Sequence, residues 1–188
     1  MLRLIWKLYW KLNGWKVAGQ FPYHYKKMVM IVAPHTSWID VLVGFAARSE
    51  LKIYDAKFLG KKELFVGPLG WLLRRLGGTP VDRFSKHGMV DQVAELITTN
   101  EKFILGMAPE GTRKRVNKLR SGFYYIAKKT QVPLLPIGLD FENRQVVMGE
   151  PLFTSDDEEE DLKIIILFFS RFKGKRQAFD LRHLKTAD

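Results

Sequence analysis

A histidine and an aspartate, His35 and Asp40, carry the clearest potential chemistry in the sequence. They lie where a continuous apolar run at residues 28–33 gives way, through Pro34, to a helical pattern that starts at Trp38. Across such a strand-to-helix turn, Asp40 can reach back to the imidazole and hold a proton on one ring nitrogen. The other nitrogen is then free to accept a proton from a hydroxyl, so the pair would be a general base with its orienting partner. Taken alone, the pattern is weak evidence, because a histidine near an aspartate is more often a structural histidine or a helix cap.

A second polar group follows another apolar run, residues 103–107, and consists of Glu110, Gly111, Thr112 and Arg113. A glycine lets the backbone approach a ligand closely, and an acid, a hydroxyl and a guanidinium beside it could bind a phosphate or another polar acceptor. An ordinary turn with a surface arginine has the same composition.

A third polar stretch, residues 77–83, is a flexible turn and a short strand that ends at Arg83. Alone it predicts only a turn. However, ligands of α/β sheets bind at the carboxyl ends of the strands, and three polar strand ends in one small parallel sheet would converge on one crevice.

The sequence gives no support for several other kinds of catalytic site. The chain has no cysteine, which excludes a thiol nucleophile, disulfides and thiolate metal sites. Ser37 lacks the Gly-x-Ser-x-Gly turn of a serine nucleophile, and neither metal-ligand spacing nor a phosphate-binding Gly-x4-Gly-Lys loop occurs. The remaining histidines lack a partner pattern: His24, His87 and His183.

Short apolar strands and helical stretches alternate along the chain and would position these residues. The predicted strands are 28–33, 53–58, 79–81, 103–107, 134–141 and 145–148. The predicted helices are 38–47, 68–76, 87–99, 119–130 and a last one that starts after Ser155, whose hydroxyl can cap it. This order predicts an α/β fold, a single domain with a mostly parallel central sheet flanked by helices, plus an N-terminal amphipathic helix.

The N-terminal residues 2–12 alternate apolar and basic at helical spacing, with Arg3, Lys7 and Lys11 on one stripe. Aromatic rings beside lysines favour a helix that lies on a membrane surface, whereas a helix docked on the core is the alternative. We predict membrane contacts by five side chains: Trp6, Lys7, Tyr9, Trp10 and Lys11.

The charge balance is strongly basic, with 31 Lys and Arg against 20 Asp and Glu, a net charge of +11. This favours anionic partners, and because no nucleic-acid motif is recognised we expect an anionic membrane surface and no nucleic acid. No run approaches the roughly 18 to 20 apolar residues of a membrane span, and no secretory cleavage pattern is found. We therefore expect a peripheral protein on the cytoplasmic face of a membrane.

Four blocks of the sequence are familiar in combination. They are His35-x4-Asp40, the stretch 77–83, the stretch 109–113 (Pro-Glu-Gly-Thr-Arg) and the stretch 132–136 (Val-Pro-Leu-Leu-Pro). In this order they resemble the four motifs of the glycerolipid acyltransferase family typified by 1-acylglycerol-3-phosphate acyltransferase. The first block is common by chance, but together with the third at this spacing it is highly specific.

The resemblance implies transfer of a fatty acyl group from acyl-CoA or acyl-carrier protein to the free hydroxyl of a lysophospholipid, expected to be 1-acylglycerol-3-phosphate, in phospholipid biosynthesis. His35 would be the base and Asp40 its orienting partner. The residues that bind the acceptor would be Arg83, Glu110, Gly111, Thr112 and Arg113. No cofactor or metal is implied, because a thioester is already activated.

The expected organisation is a membrane-surface helix at 1–20, an acyltransferase domain at 21–175 and a basic C-terminal tail at 176–188. Two alternatives stay open on the sequence. One is an acyltransferase or transacylase for another lysolipid acceptor, and the other is a basic membrane-binding protein without catalytic activity.

Overall fold

One seven-stranded sheet organises the protein, whose computed structural model describes residues 2–82 and 88–186. The strands are β1 (Lys16–Ala18), β2 (Lys27–Ala33), β3 (Lys57–Lys61), β4 (Gly78–Val81), β5 (Phe103–Met107), β6 (Leu134–Asp140) and β7 (Gln145–Met148). Their order across the sheet is β1-β7-β6-β2-β5-β3-β4. The five strands from β6 to β4 are parallel, while β7 runs antiparallel to β6 and β1 runs parallel to β7. Five carboxyl ends therefore lie at one edge, which we call the carboxyl edge.

Helices cover both faces of this sheet. Within the described residues they are α1 (Leu2–Leu12), α2 (Ile39–Glu50), α3 (Gly67–Arg75), α4 (Gly88–Thr99), α5 (Gly122–Thr130) and α6 (Glu158–Phe169). Short 3₁₀ helices occur at Lys62–Phe65, Gln177–Phe179 and Arg182–Thr186. The fold predicted from the alternation of strands and helices, a single α/β domain with a mostly parallel sheet, is confirmed.

Side chains of β2 alternate between two hydrophobic cores, as the period of a strand requires. Val29 and Ile31 pack with α4, α5 and α6 on one face. Met28 and Met30 pack with α1 and α2 on the other face. Burial on both faces explains why this strand reads as a continuous apolar run rather than an alternating one.

Helix α1 docks on the domain through its aromatic side, because positions 6, 9 and 10 share one face of a helix. The ring of Trp6 stacks on Phe45 of α2 at 5.4 Å, and Trp10 is buried in the core beside Trp15. The prediction that Trp10 contacts the membrane is therefore wrong. The opposite side of α1 is exposed and apolar, with Leu4, Ile5, Leu8 and Leu12.

Several boundaries differ from those predicted. β3 starts later because Ile53 and Ala56 are buried in turns that precede it, and β1 was missed because three residues carry too little pattern. α6 is capped by Asp157, which accepts a hydrogen bond from the amide of Glu160, and not by Ser155.

Within the predicted basic tail at 176–188, the described residues up to 186 are not all peripheral. Leu181 and Leu184 are buried in the core that α4, α5 and α6 also cover. Of the helices in the described residues, none has both the length and the apolar character needed to cross a bilayer.

Candidate active site

The turn between β2 and α2 brings His35 and Asp40 together. Oδ2 of the buried Asp40 lies 3.2 Å from Nδ1 of His35. The same oxygen accepts hydrogen bonds from the amides of Thr36 and Ser37, each at 2.7 Å. A carboxylate held by two backbone amides has a fixed position, so it can fix the orientation of the imidazole.

Glu110, at the end of β5, lies beneath this turn. Its Oε1 accepts a hydrogen bond from the His35 amide at 2.6 Å, and its Oε2 has no hydrogen-bond partner among the described residues. Burial raises the pKa of Glu110 to about 7, against the opposing effect of the hydrogen bond from the His35 amide. The side chain is 1% exposed. Glu110 therefore contacts the backbone of His35, and its expected role in acceptor binding stays a prediction.

The loop between β5 and α5 carries the other residues of the third motif. Gly111 adopts a φ of +65°, and its amide donates a hydrogen bond to the carbonyl of Ala108 at 3.2 Å. A Cβ at this position would lie 3.1 Å from Cγ of Arg120, so a side chain here would be strained and crowded. Thr112 accepts a hydrogen bond from the amide of Lys114 at 3.3 Å.

Arg113, exposed on this loop, completes the cluster. Its Nε–H donates to Nε2 of His35 at 3.3 Å. Because a guanidinium only donates hydrogen bonds, Nε2 must be the accepting nitrogen, and the ring proton then lies on Nδ1 facing Asp40. This is the tautomer that a general base needs.

The remaining expected acceptor-binding residue, Arg83, lies outside the described residues. β4 ends at Val81. The amide of the next residue, Asp82, donates a hydrogen bond to Oε1 of Gln92 at 3.1 Å. β4 ends at the carboxyl edge, two strands from β5.

A segment near the C-terminus also contacts the histidine turn, and the sequence analysis missed it. The amide of Arg176 donates to Oγ1 of Thr36 at 3.1 Å. Gly174 packs so closely that a Cβ there would lie 2.9 Å from Thr36 and 3.2 Å from Pro34. Because 140 residues separate the partners, nothing in local spacing could have indicated the contact.

Positive charge accumulates around the cluster. The loop after β5 and the C-terminal segment carry cations that have no carboxylate within 4.0 Å among the described residues: Arg113, Lys114, Arg115, Arg120, Lys175 and Arg176. Guanidinium and ammonium groups without a carboxylate partner are suited to a phosphate-bearing ligand, and Arg113 among them contacts His35.

Comparison with known proteins gives the geometry a context. Residues 15–140, more than half of the chain and the part that holds β1 to β6 and the His35 turn, match the Acyltransferase family. The chain belongs to this family. The family resemblance stated on the four sequence blocks is confirmed, whereas the C-terminal contact to Thr36 lies outside the matched residues.

Two known proteins resemble the chain, one in sequence and one in fold. The chain is 30% identical over 115 residues to the chloroplastic 1-acyl-sn-glycerol-3-phosphate acyltransferase BAT2 of Brassica napus; the match covers 57% of this chain and 31% of that protein. The chain thus spans about a third of the length of this curated relative. The crystal structure of the 1-acyl-sn-glycerophosphate (LPA) acyltransferase PlsC of Thermotoga maritima matches with a TM-score of 0.59 at 20% identity, over 99% of this chain and 79% of that one. This second likeness concerns the fold.

Proposed function

We propose that this acyltransferase-family chain transfers a fatty acyl group from a thioester donor, acyl-CoA or acyl-carrier protein, to the free hydroxyl of a lysophospholipid. The expected acceptor is 1-acylglycerol-3-phosphate. The observation that carries the proposal is the contact series Asp40–His35–Arg113, in which one imidazole nitrogen faces a carboxylate and the other faces the cationic loop.

The reaction follows from this arrangement. Nε2 of His35 takes the proton of the acceptor hydroxyl as its oxygen attacks the thioester carbonyl. The tetrahedral intermediate then collapses, the C–S bond breaks, and the imidazolium returns the proton to the leaving thiolate. Asp40 keeps the proton of Nδ1 in place and stabilises the imidazolium between the two steps.

Acceptor binding is assigned to Arg113 and its neighbours Gly111 and Thr112, together with Arg83, which lies outside the described residues. A guanidinium binds phosphate in a forked geometry with charge-assisted hydrogen bonds. When the guanidinium of Arg113 binds the phosphate, it no longer donates to Nε2 of His35. Nε2 can then accept a hydrogen bond from the acceptor hydroxyl. The arginine would then couple acceptor binding to exposure of the base.

We further propose that α1 holds the protein on the cytoplasmic face of an anionic membrane. Leu4, Ile5, Leu8 and Leu12 would enter the acyl region, and Lys7 and Lys11 would face the headgroups. The guanidinium of Arg3, also predicted to face them, instead lies 3.9 Å from the ring centre of Tyr54. Trp6 and Tyr9, half-buried against the domain, would contribute only their outer edges. Binding at the surface spares the acceptor extraction through water, which costs roughly 0.8 kcal/mol for every methylene exposed.

The decisive experiment is an acylation assay on the purified full chain with acyl-CoA and acyl-carrier protein donors and a panel of lysolipids. We expect transfer to 1-acylglycerol-3-phosphate, near-complete loss with His35→Ala, and almost as large a loss with Asp40→Asn, which favours the wrong imidazole tautomer. Circular dichroism and vesicle flotation of both variants serve as controls for folding and lipid binding.

The alternatives predict different results. Transfer to another lysolipid, or between two lipids without a thioester, would replace the acceptor or the donor but keep the role of His35. Lipid binding without any transfer would support a non-catalytic membrane-binding protein and overturn the proposal.

A further inference from the structure

A second exposed apolar surface lies at the start of α3. Residues 64–73 are ten consecutive uncharged residues, Leu-Phe-Val-Gly-Pro-Leu-Gly-Trp-Leu-Leu. Five of their large side chains are exposed, and Val66 reaches 70%. We call them the α3 apolar surface: Leu64, Val66, Leu69, Trp71 and Leu72. Exposed apolar groups concentrated in this way mark an interaction site.

The side chains of the α3 apolar surface are held outward by the packing of Phe65. Phe65 is buried, and its ring fills the space that a Cβ at Gly60 or Gly78 would need. Gly70 lies so close to the backbone of Phe65 that a Cβ there would be 2.1 Å from its carbonyl carbon. The segment therefore meets the core through Phe65, while the five side chains of the α3 apolar surface are exposed.

Positive charge borders the α3 apolar surface on both sides. Lys61 and Lys62 precede it, Arg74 and Arg75 follow it, and Glu63 is the one acid between Lys57 and Arg75. The guanidinium of Arg75 lies 5.5 Å above the ring of Trp71. Apolar side chains and an indole bordered by cations are complementary to an anionic bilayer surface. A second copy of the chain would instead bring like charges together.

The position of this surface relates it to the candidate base. β2 and β3 both pair in parallel with β5, so Ala33 and Lys61 end at the carboxyl edge. Two strand spacings, about 10 Å, separate the ends of β2 and β3. The residues that follow Lys61 therefore reach the same edge as His35.

We propose that the α3 apolar surface inserts into an anionic bilayer as a second membrane contact beside α1. A single helix at the surface leaves the domain free to rotate about that helix. Two contacts fix the orientation, and the second one turns the carboxyl edge, with His35, toward the lipid. The inference does not depend on acyl transfer, because membrane insertion is measured without substrate.

Site-specific labelling tests the proposal cleanly because the chain has no cysteine. Leu69→Cys is labelled with an environment-sensitive fluorophore and mixed with vesicles of phosphatidylcholine and phosphatidylglycerol in equal parts. Leu167→Cys on α6 is the matched control, since α6 covers the other face of the sheet and the two leucines are similarly exposed, at 54% and 50%. We expect a blue shift and quenching by spin-labelled acyl chains at position 69 and neither at position 167.

A second variant measures how much the α3 apolar surface contributes to the free energy of vesicle binding. Leu69→Glu should weaken vesicle binding at least about tenfold, and Leu167→Glu should not, with the melting temperature of both unchanged. Identical emission at position 69 with and without vesicles, for protein that floats with them, would overturn the proposal. A blue shift without lipid that grows with protein concentration would overturn it as well, because it indicates self-association.

Discussion

Oε1 of Glu110 lies 2.6 Å from the amide nitrogen of His35, and this bond joins the ends of two neighbouring parallel strands, β5 and β2. The third motif therefore contacts the first motif through the backbone of the base itself. We infer that Glu110 is a positioning residue, which acts on the reaction through the placement of His35.

The raised pKa of Glu110 makes a prediction about stability. The pKa is about 7 in the folded protein against an ordinary value of 4.5, so between these values the folded protein binds more protons than the unfolded chain. The free energy of unfolding should fall as the pH rises through this window, by up to about 3 kcal/mol from this group. Glu110→Gln keeps an oxygen for the His35 amide but does not ionise, so it should lose this part of the dependence.

Urea unfolding of the wild type and of Glu110→Gln at about pH 5 and about pH 8 checks the prediction. His35 and Asp40 lie beside Glu110 and are present in both proteins, so the difference between the two pH dependences isolates Glu110. Parallel dependences would contradict the assignment.

Arg113 should determine acceptor affinity. Arg113→Ala removes a forked, charge-assisted contact worth about 1.5 to 3 kcal/mol, so the KM for 1-acylglycerol-3-phosphate should rise roughly tenfold to a hundredfold. The KM for the acyl donor should stay near its wild-type value. Arg171→Ala, an exposed arginine just after α6 whose guanidinium lies 4.7 Å from the ring centre of Phe168, is the control. A rise in the donor KM alone would show that Arg113 serves the phosphates of the donor.

The two sides of α1 should respond differently to substitution. Trp10→Ala removes a buried indole and should lower the free energy of unfolding by about 3 to 5 kcal/mol. Leu8→Glu, on the exposed side, should leave the melting temperature unchanged but weaken vesicle flotation. Equal flotation of Leu8→Glu and wild type would exclude α1 as a membrane contact.

Gly174 should be sensitive to a single added methyl group. A Cβ there would lie 2.9 Å from Thr36, so Gly174→Ala must displace the residue beside His35 and should lower kcat about tenfold or more. Gly44→Ala on α2 is the matched control, because no neighbouring element lies within 4 Å of the methyl group it would gain and alanine favours a helix by roughly 0.5 to 1 kcal/mol. Equal kcat values for the two variants would contradict a role of the C-terminal segment in the site.

The sequence was sufficient where a pattern is local. The buried run of β2 and the spacing of His35 and Asp40 predicted a strand, a turn and a paired histidine, because strand burial and the reach of a first-turn carboxylate depend on neighbours along the chain. The structure places these two side chains in contact.

The sequence was insufficient where a residue type suits two environments. Trp10 next to lysines indicated a lipid interface, yet the same amphipathic pattern also fits docking on α2. Glu110 in a polar turn indicated a ligand contact, and only the pairing of β2 with β5 shows that its partner is the His35 amide. Leu181 and Leu184 lie in a basic stretch whose composition concealed their burial.

The single oxygen Oδ2 of Asp40 has a further consequence for the base. Two of its three contacts are backbone amides of the turn, and these do not change when the imidazole gains or loses a proton. The turn therefore needs little reorganisation energy during a reaction cycle, because its electrostatic environment is set before any ligand arrives. The imidazole can therefore be protonated and deprotonated without a change in the backbone conformation of the turn.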